Sequence, residues 1–165
     1  EKKFIKNNEY LMKGYSKSKK RTEIVFEEFL TSLKNFKDQY ELILRLHPKE
    51  KISSYTKYRK YIDIISVNEN PFKLLNNMDL VVGLTSNFLC ESRLFGIPTL
   101  SVTPLSKEFL WINSDFRKYL VNVNTLNQLN LYMEDFFLNK ITVKNIYFYK
   151  KKVDNCIEFI LKKNV

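Results

Sequence analysis

The sequence predicts an α/β protein, a doubly wound parallel sheet of about five strands with helices on both faces. Three observations predict it. Apolar residues alternate between helical spacing and short β-branched runs, the connections between these runs are short, and one central run is apolar on both faces. A chain of 165 residues with 44% apolar and 15% aromatic content can bury a core as one domain. No tract of Pro, Gly or Ser and no internal repeat divides it.

The first helix is expected from Thr22, as cap, through Val25, Phe26, Phe29, Leu30, Leu33 and Phe36. Tyr40 to Leu46 then reads as a strand that His47-Pro48 ends. A basic stretch from Lys49 to Lys60, helical in part, leads to a second strand from Tyr61 to Val67. Asn70-Pro71 is a helix start, with Asn as cap and Pro at the first helical position, where a missing N–H is no loss. That helix carries Phe72, Leu74, Leu75 and Met78. Asp79 to Gly83 is the third strand, Asn87 to Phe95 the next helix, and Thr99 to Thr103 the fourth strand. Tyr119 to Val123 is the fifth. Thr125 caps a helix through Leu126, Leu129, Met133, Phe136 and Phe137, and a last helix is expected through Tyr149, Val153, Cys156, Ile157, Ile160 and Leu161. Residues 22–165 form the domain, and residues 1–21 are a polar N-terminal connection.

Composition bounds the partners. No apolar run approaches the roughly 20 residues that cross a bilayer. Two cysteines and one histidine give neither a disulfide framework nor metal-ligand spacing, so no metal is expected. A reducing, cytoplasmic compartment follows, and a start at Glu1 rather than Met suggests a portion of a longer protein. The net charge of +10 suits nucleic acid, anionic lipid or phosphorylated ligands alike. The lysines are spread over several segments, which equally fits ordinary solvated faces.

Chemistry concentrates in VVGLTSNFLCESRLFGIP, residues 82–98 with the preceding valine, which holds two of the chain's three glycines. In a doubly wound sheet, ligands bind beyond the carboxyl ends of the strands, where loops lead into helix N-termini. Gly83 is expected to let the chain turn sharply. Thr85 and Ser86 offer hydroxyls beside the free N–H groups that open the helix at Asn87, a place that favours phosphate. Glu91 lies one turn on from Asn87, where a carboxylate can accept from ribose hydroxyls. Gly96 is expected in the left-handed conformation that stops the helix, with Pro98 beyond it. A plain N-cap at Ser86 with a surface Glu91 fits the same spacing. His47, at a strand's carboxyl end, can donate to a phosphate or simply serve the turn.

The series Arg45-Leu46-His47-Pro48, Asn70-Pro71, Leu74-Leu75, Met78 to Gly83, Thr85-Ser86, Glu91 and Gly96-Ile97-Pro98-Thr99 resembles the C-terminal nucleotide-sugar-binding half of GT-B enzymes. It is most similar to the UDP-N-acetylglucosamine 2-epimerases and to capsule or lipopolysaccharide glycosyltransferases, over Thr22 to Phe137. The resemblance implies a single Rossmann-like GT-B half-domain that binds a nucleotide sugar, a UDP-sugar above others, through His47, Gly83, Thr85, Ser86, Asn87 and Glu91. His47 would lie near the nucleotide, Ser86 would hold the diphosphate and Glu91 the ribose. It implies no cofactor, and it leaves the catalytic residues unassigned. The epimerases place two glycines after the serine and pair two glutamates; this chain has Asn87-Phe88 and Glu91-Ser92. Phe88 is therefore expected to narrow the approach to the phosphate.

The activity implied is transfer from a nucleotide sugar in surface polysaccharide biosynthesis. The partner would be an N-terminal Rossmann-like half in the parent chain, without which this half is expected to be inactive. An epimerase-like enzyme is the alternative. A basic module that binds nucleic acid or a membrane surface is another; nucleic acid ranks below peripheral contact with the inner membrane face.

Overall fold

The computed structural model describes residues 20–47, 49–67 and 69–141. Five short strands lie in it: β1 (Ile43–Arg45), β2 (Ile64–Ser66), β3 (Val81–Gly83), β4 (Thr99–Val102) and β5 (Val121–Val123). Five α-helices accompany them: α1 (Arg21–Ser32), α2 (Pro71–Leu75), α3 (Asn87–Leu94), α4 (Ser114–Arg117) and α5 (Leu126–Phe137). Three 3-10 segments, Lys34–Phe36, Ile52–Tyr61 and Ser106–Trp111, complete the order.

The strands are parallel but form two sheets where one of about five strands is expected. In one, β1 pairs with β2 in the register Ile43 to Ile64 and Arg45 to Ser66. In the other, the order is β3-β4-β5, with Gly83 opposite Ser101 and Ser101 opposite Asn122. The expected strand from Tyr40 to Leu46 shrinks to a triplet because its first half is held otherwise. Leu42 donates its N–H to the Asp63 carboxylate at 2.7 Å, and its carbonyl accepts from the N–H groups of Asp63 and Ile64. Tyr61, expected in the second strand, closes the 3-10 segment instead.

Both faces of the three-stranded sheet are covered, as a buried parallel sheet requires. Leu100 and Val102 of β4 point to one face and pack with Val25 and Leu33 of α1, Val123, and Leu129 and Met133 of α5. Val81 packs on the other face with Leu75, Leu89, Cys90, Ile97, Ile112 and Leu120. The first helix serves both sheets. Its Phe26 and Leu30 pack instead with Leu46, Tyr55, Tyr58 and Ile62, beside β1 and β2. One helix thus carries two apolar stripes, which is why its apolar positions are so dense.

The caps divide. Asn70 accepts from the N–H of Phe72, and Thr125 accepts from that of Gln128, both as expected. Thr22 does not cap: α1 starts a residue earlier, at Arg21, and Lys20 occupies the cap position without a side-chain bond. Gly96 has φ +81°, the left-handed stop expected after α3. The turns from Ser106 to Arg117 have no counterpart in the sequence reading. The N-terminal connection up to residue 19 and the last helix lie outside the described residues.

Candidate functional site

Within the three-stranded sheet, parallel strands put the loops that follow β3 and β4 on one edge, where Gly83, Thr85, Ser86, Asn87 and Glu91 lie, while His47 follows β1 in the other sheet. Gly83 ends β3, Leu84, Thr85 and Ser86 turn, and α3 begins at Asn87. Ser86 sits at the cap position with extended backbone (φ −76°, ψ 151°), yet its hydroxyl makes no capping bond. Ser86 and Asn87 are exposed, while Thr85 and Glu91 are half-buried. A helix that opens without a side-chain cap keeps its first N–H groups for water or a ligand.

Gly83 has a different job from the one expected. It does not occupy the left-handed region, where the structure places only Gly96 among the described glycines. A Cβ at Gly83 would come within 3.2 Å of Leu89 Cδ2. The glycine therefore lets α3 lie close on the end of β3, rather than permitting an unusual turn. Ser101, directly opposite in the ladder and fully buried, donates its hydroxyl to the Leu84 carbonyl at 2.6 Å. Asn122, the next residue across, donates to Ser101 O at 3.1 Å and to Thr103 Oγ1 at 2.8 Å. This buried polar row fixes the carbonyl just ahead of Thr85. Sequence reasoning missed it, although a serine and an asparagine between apolar residues of two strands were its visible sign.

His47 is exposed beyond β1, but the structure commits it to its own turn. Its N–H donates to Glu50 Oε2 at 3.0 Å, and its Nδ1 accepts from the Lys49 N–H at 3.2 Å. No hydrogen bond among the described residues joins it to the β3–α3 unit. Arg45 makes that connection. Its guanidinium lies 5.3 Å from the centroid of the Phe88 ring and donates to Glu69 O at 3.0 Å. Phe88 in turn packs against the cluster around Val81 and Leu89. The Phe88 ring is thus placed between the core and a cation, and it brings that cation to the first turn of α3.

Two cavities stand out. One, of about 540 Å³, adjoins the His47 turn and is lined by Lys49, Glu50 and Lys51 together with the start of α1 and Tyr55. The other, of about 500 Å³, opens at the amino ends of β3 and β4, around Asp79, Pro98 and Phe137. Neither is lined by Gly83, Thr85, Ser86, Asn87 or Glu91. The predicted unit is therefore an open shelf and not a wall of either cavity. Among the described residues, no group of three His, Cys, Asp or Glu side chains could hold a metal ion, and no helix is long and apolar enough to cross a membrane.

Comparison with protein-family models, with curated proteins and with solved structures gives no match to this chain.

Proposed function

We propose that the carboxyl edge binds the diphosphate of a nucleotide sugar, and that the chain is the donor-binding, Rossmann-like half of a GT-B glycosyltransferase of surface polysaccharide synthesis. The observation that carries this reading is the open start of α3. Ser86 and the first N–H groups of an eight-residue helix stand at the end of a parallel strand with no side-chain cap. Arg45, which stacks over Phe88 one residue into that helix turn, adds the positive charge that a leaving diphosphate needs. Glu91 holds the ribose. His47 contributes through the turn it closes rather than from Nδ1, which is already bonded. In this reading β1-β2 and β3-β4-β5 are successive parts of one doubly wound arrangement. The acceptor and the general base come from a second, N-terminal half.

Isothermal titration of the protein with uridine, cytidine and guanosine diphosphates tests it. Ser86→Asp is the informative variant, because Asp is as good a cap as Ser yet places a carboxylate where phosphate would sit. Binding of at least one diphosphate, weakened tenfold or more by Ser86→Asp, is the expected result. Failure of all three to bind, or an affinity indifferent to Ser86→Asp, rejects the reading.

A further inference from the structure

The 540 Å³ cavity beside His47 combines features that the shelf at α3 lacks. Three exposed lysines line it, Lys20 from the start of α1 and Lys49 and Lys51 from the turn after β1. None of the three makes an ion pair with a described residue, whereas the carboxylates beside them are occupied. Glu50 accepts the Tyr55 hydroxyl at 2.8 Å through Oε1 and the His47 N–H at 3.0 Å through Oε2. Glu23 is engaged by Lys57, which holds its carboxyl below the usual range. Glu23 is therefore offset by Lys57, while Glu50 is bonded in place and keeps its charge, so the three lysines leave the lining net positive.

The walls are firm. Tyr55 and Tyr58 are buried and pack edge-on against Phe26 at centroid distances of 5.9 and 5.2 Å. Tyr58 also donates to Glu27 at 2.5 Å. Thr22 and Ser54 add hydroxyls to the lining. A volume of this size is that of a small-molecule site, several times what one phosphate fills.

We infer that this cavity is a second binding site, for a phosphorylated sugar or polyol: Lys20, Lys49 and Lys51 take the phosphate, and Thr22, Ser54 and Glu50 take hydroxyls of the body. Lysine suits a phosphate as a compact charge with three donors. Glu50 retains acceptor capacity because each carboxylate oxygen can take a second donor. The site does not depend on nucleotide binding at α3, and the two are separable by mutation.

The test is an amide-resolved NMR titration of the full chain at 150 mM salt with glucose 6-phosphate, inorganic phosphate and, as uncharged control, glucose. Sedimentation with phosphatidylglycerol vesicles runs in parallel. Saturable shifts at Lys20, Lys49 to Ser54 and Tyr55 with glucose 6-phosphate, weaker shifts with phosphate, and none with glucose support the site. Lys49→Gln with Lys51→Gln should weaken glucose 6-phosphate about tenfold or more, the loss of one to two charge-assisted bonds. Both lysines are exposed, so that variant keeps its fold, and Ser86→Asp should leave this affinity unchanged. Absence of shifts, equal affinity in the double variant, equal loss in Ser86→Asp, or binding to vesicles alone overturns the inference.

Discussion

The guanidinium of Arg45 lies over the ring of Phe88, 5.3 Å from its centroid, and so ties the end of β1 to the first turn of α3. The pair separates two roles that can be measured independently. Arg45 is half-buried and its stacking is worth about 0.5–1 kcal/mol at such a site. Arg45→Met should lower the urea midpoint only slightly while weakening nucleotide diphosphate at least tenfold, since a charge-assisted contact contributes about 1.5–3 kcal/mol. Phe88→Gly should behave oppositely in stability. It removes a ring packed on the core, about 2–4 kcal/mol. Chemical denaturation and titration of both variants would show the split, and a large stability loss in Arg45→Met would contradict it.

Gly83 and Gly96 should respond differently to the same substitution. Gly83→Ala sets a methyl 3.2 Å from Leu89 Cδ2, and Leu89 is only 1% exposed, so the cost arises from overpacking, about 1–3 kcal/mol. Gly96→Ala meets nothing within 4 Å, but its φ of +81° costs a non-glycine residue about 1–2 kcal/mol. A second substitution distinguishes the causes. In a Leu89→Ala background, Gly83→Ala should become nearly neutral or stabilising, whereas Gly96→Ala should keep its full cost. Equal costs for Gly83→Ala in both backgrounds would show that the methyl is not what α3 excludes.

Glu108 is buried, 3% exposed, and Arg21 Nη1 donates to its Oε1 at 2.8 Å. The other oxygen has no partner among the described residues. Removal of Arg21 strands a buried carboxylate, which costs far more than loss of an exposed pair. Because Arg21 is itself more than a third exposed, the expected cost of Arg21→Met is about 1–3 kcal/mol, below that of a fully buried pair. Arg21 also lies 4.9 Å from the ring of Trp111, the chain's single tryptophan. The fluorescence spectrum of native Arg21→Met should therefore change with stability, and Glu108→Gln should cost less than Arg21→Met. The reverse order in thermal unfolding would refute the buried-charge account.

Much of this architecture is legible in the sequence where local chemistry decides it. Asn70-Pro71, Thr125 and Gly96 act through their own backbone neighbours, and all three appear in the structure as their residue types require. The parallel strand-helix alternation is visible for the same reason, in apolar spacing. Thr22 shows the limit, since a capping residue type gains nothing once the helix begins ahead of it and takes it into the first turn. Long-range relations are not legible. Arg45 and Phe88 are 43 positions apart, and Gly83, Ser101 and Asn122 meet only once three strands are in register. Sheet continuity is likewise a tertiary matter: an apolar run from Tyr40 to Leu46 does not reveal that Asp63 captures the backbone of Leu42. At the candidate site, the β3–α3 unit is local and was visible, whereas the bonded state of His47 and the placement of Arg45 were not.

Tyr132 makes stability depend on alkaline pH in a predictable direction. Burial pushes its phenol up from 10.0 to about 12, partly offset by the nearby Arg93 charge, because a phenolate is poorly solvated beside the α1–α5 cluster. A phenol whose pKa is higher folded than unfolded gives its full stabilising effect below pH 10. That effect is lost as pH rises from 10 through about 12, since the unfolded chain releases the proton first. A shift of one unit corresponds to about 1.4 kcal/mol; partial exposure of the ring reduces the total to about 1–2 kcal/mol. Tyr132→Phe cannot ionise and should lose about 1 kcal/mol less stability than wild type between pH 9 and pH 11 in urea unfolding. Other tyrosines with raised values, Tyr40, Tyr55 and Tyr58, keep a residual slope in both proteins. The difference between the two slopes is the quantity that tests Tyr132, and identical slopes would show that its phenol remains solvated.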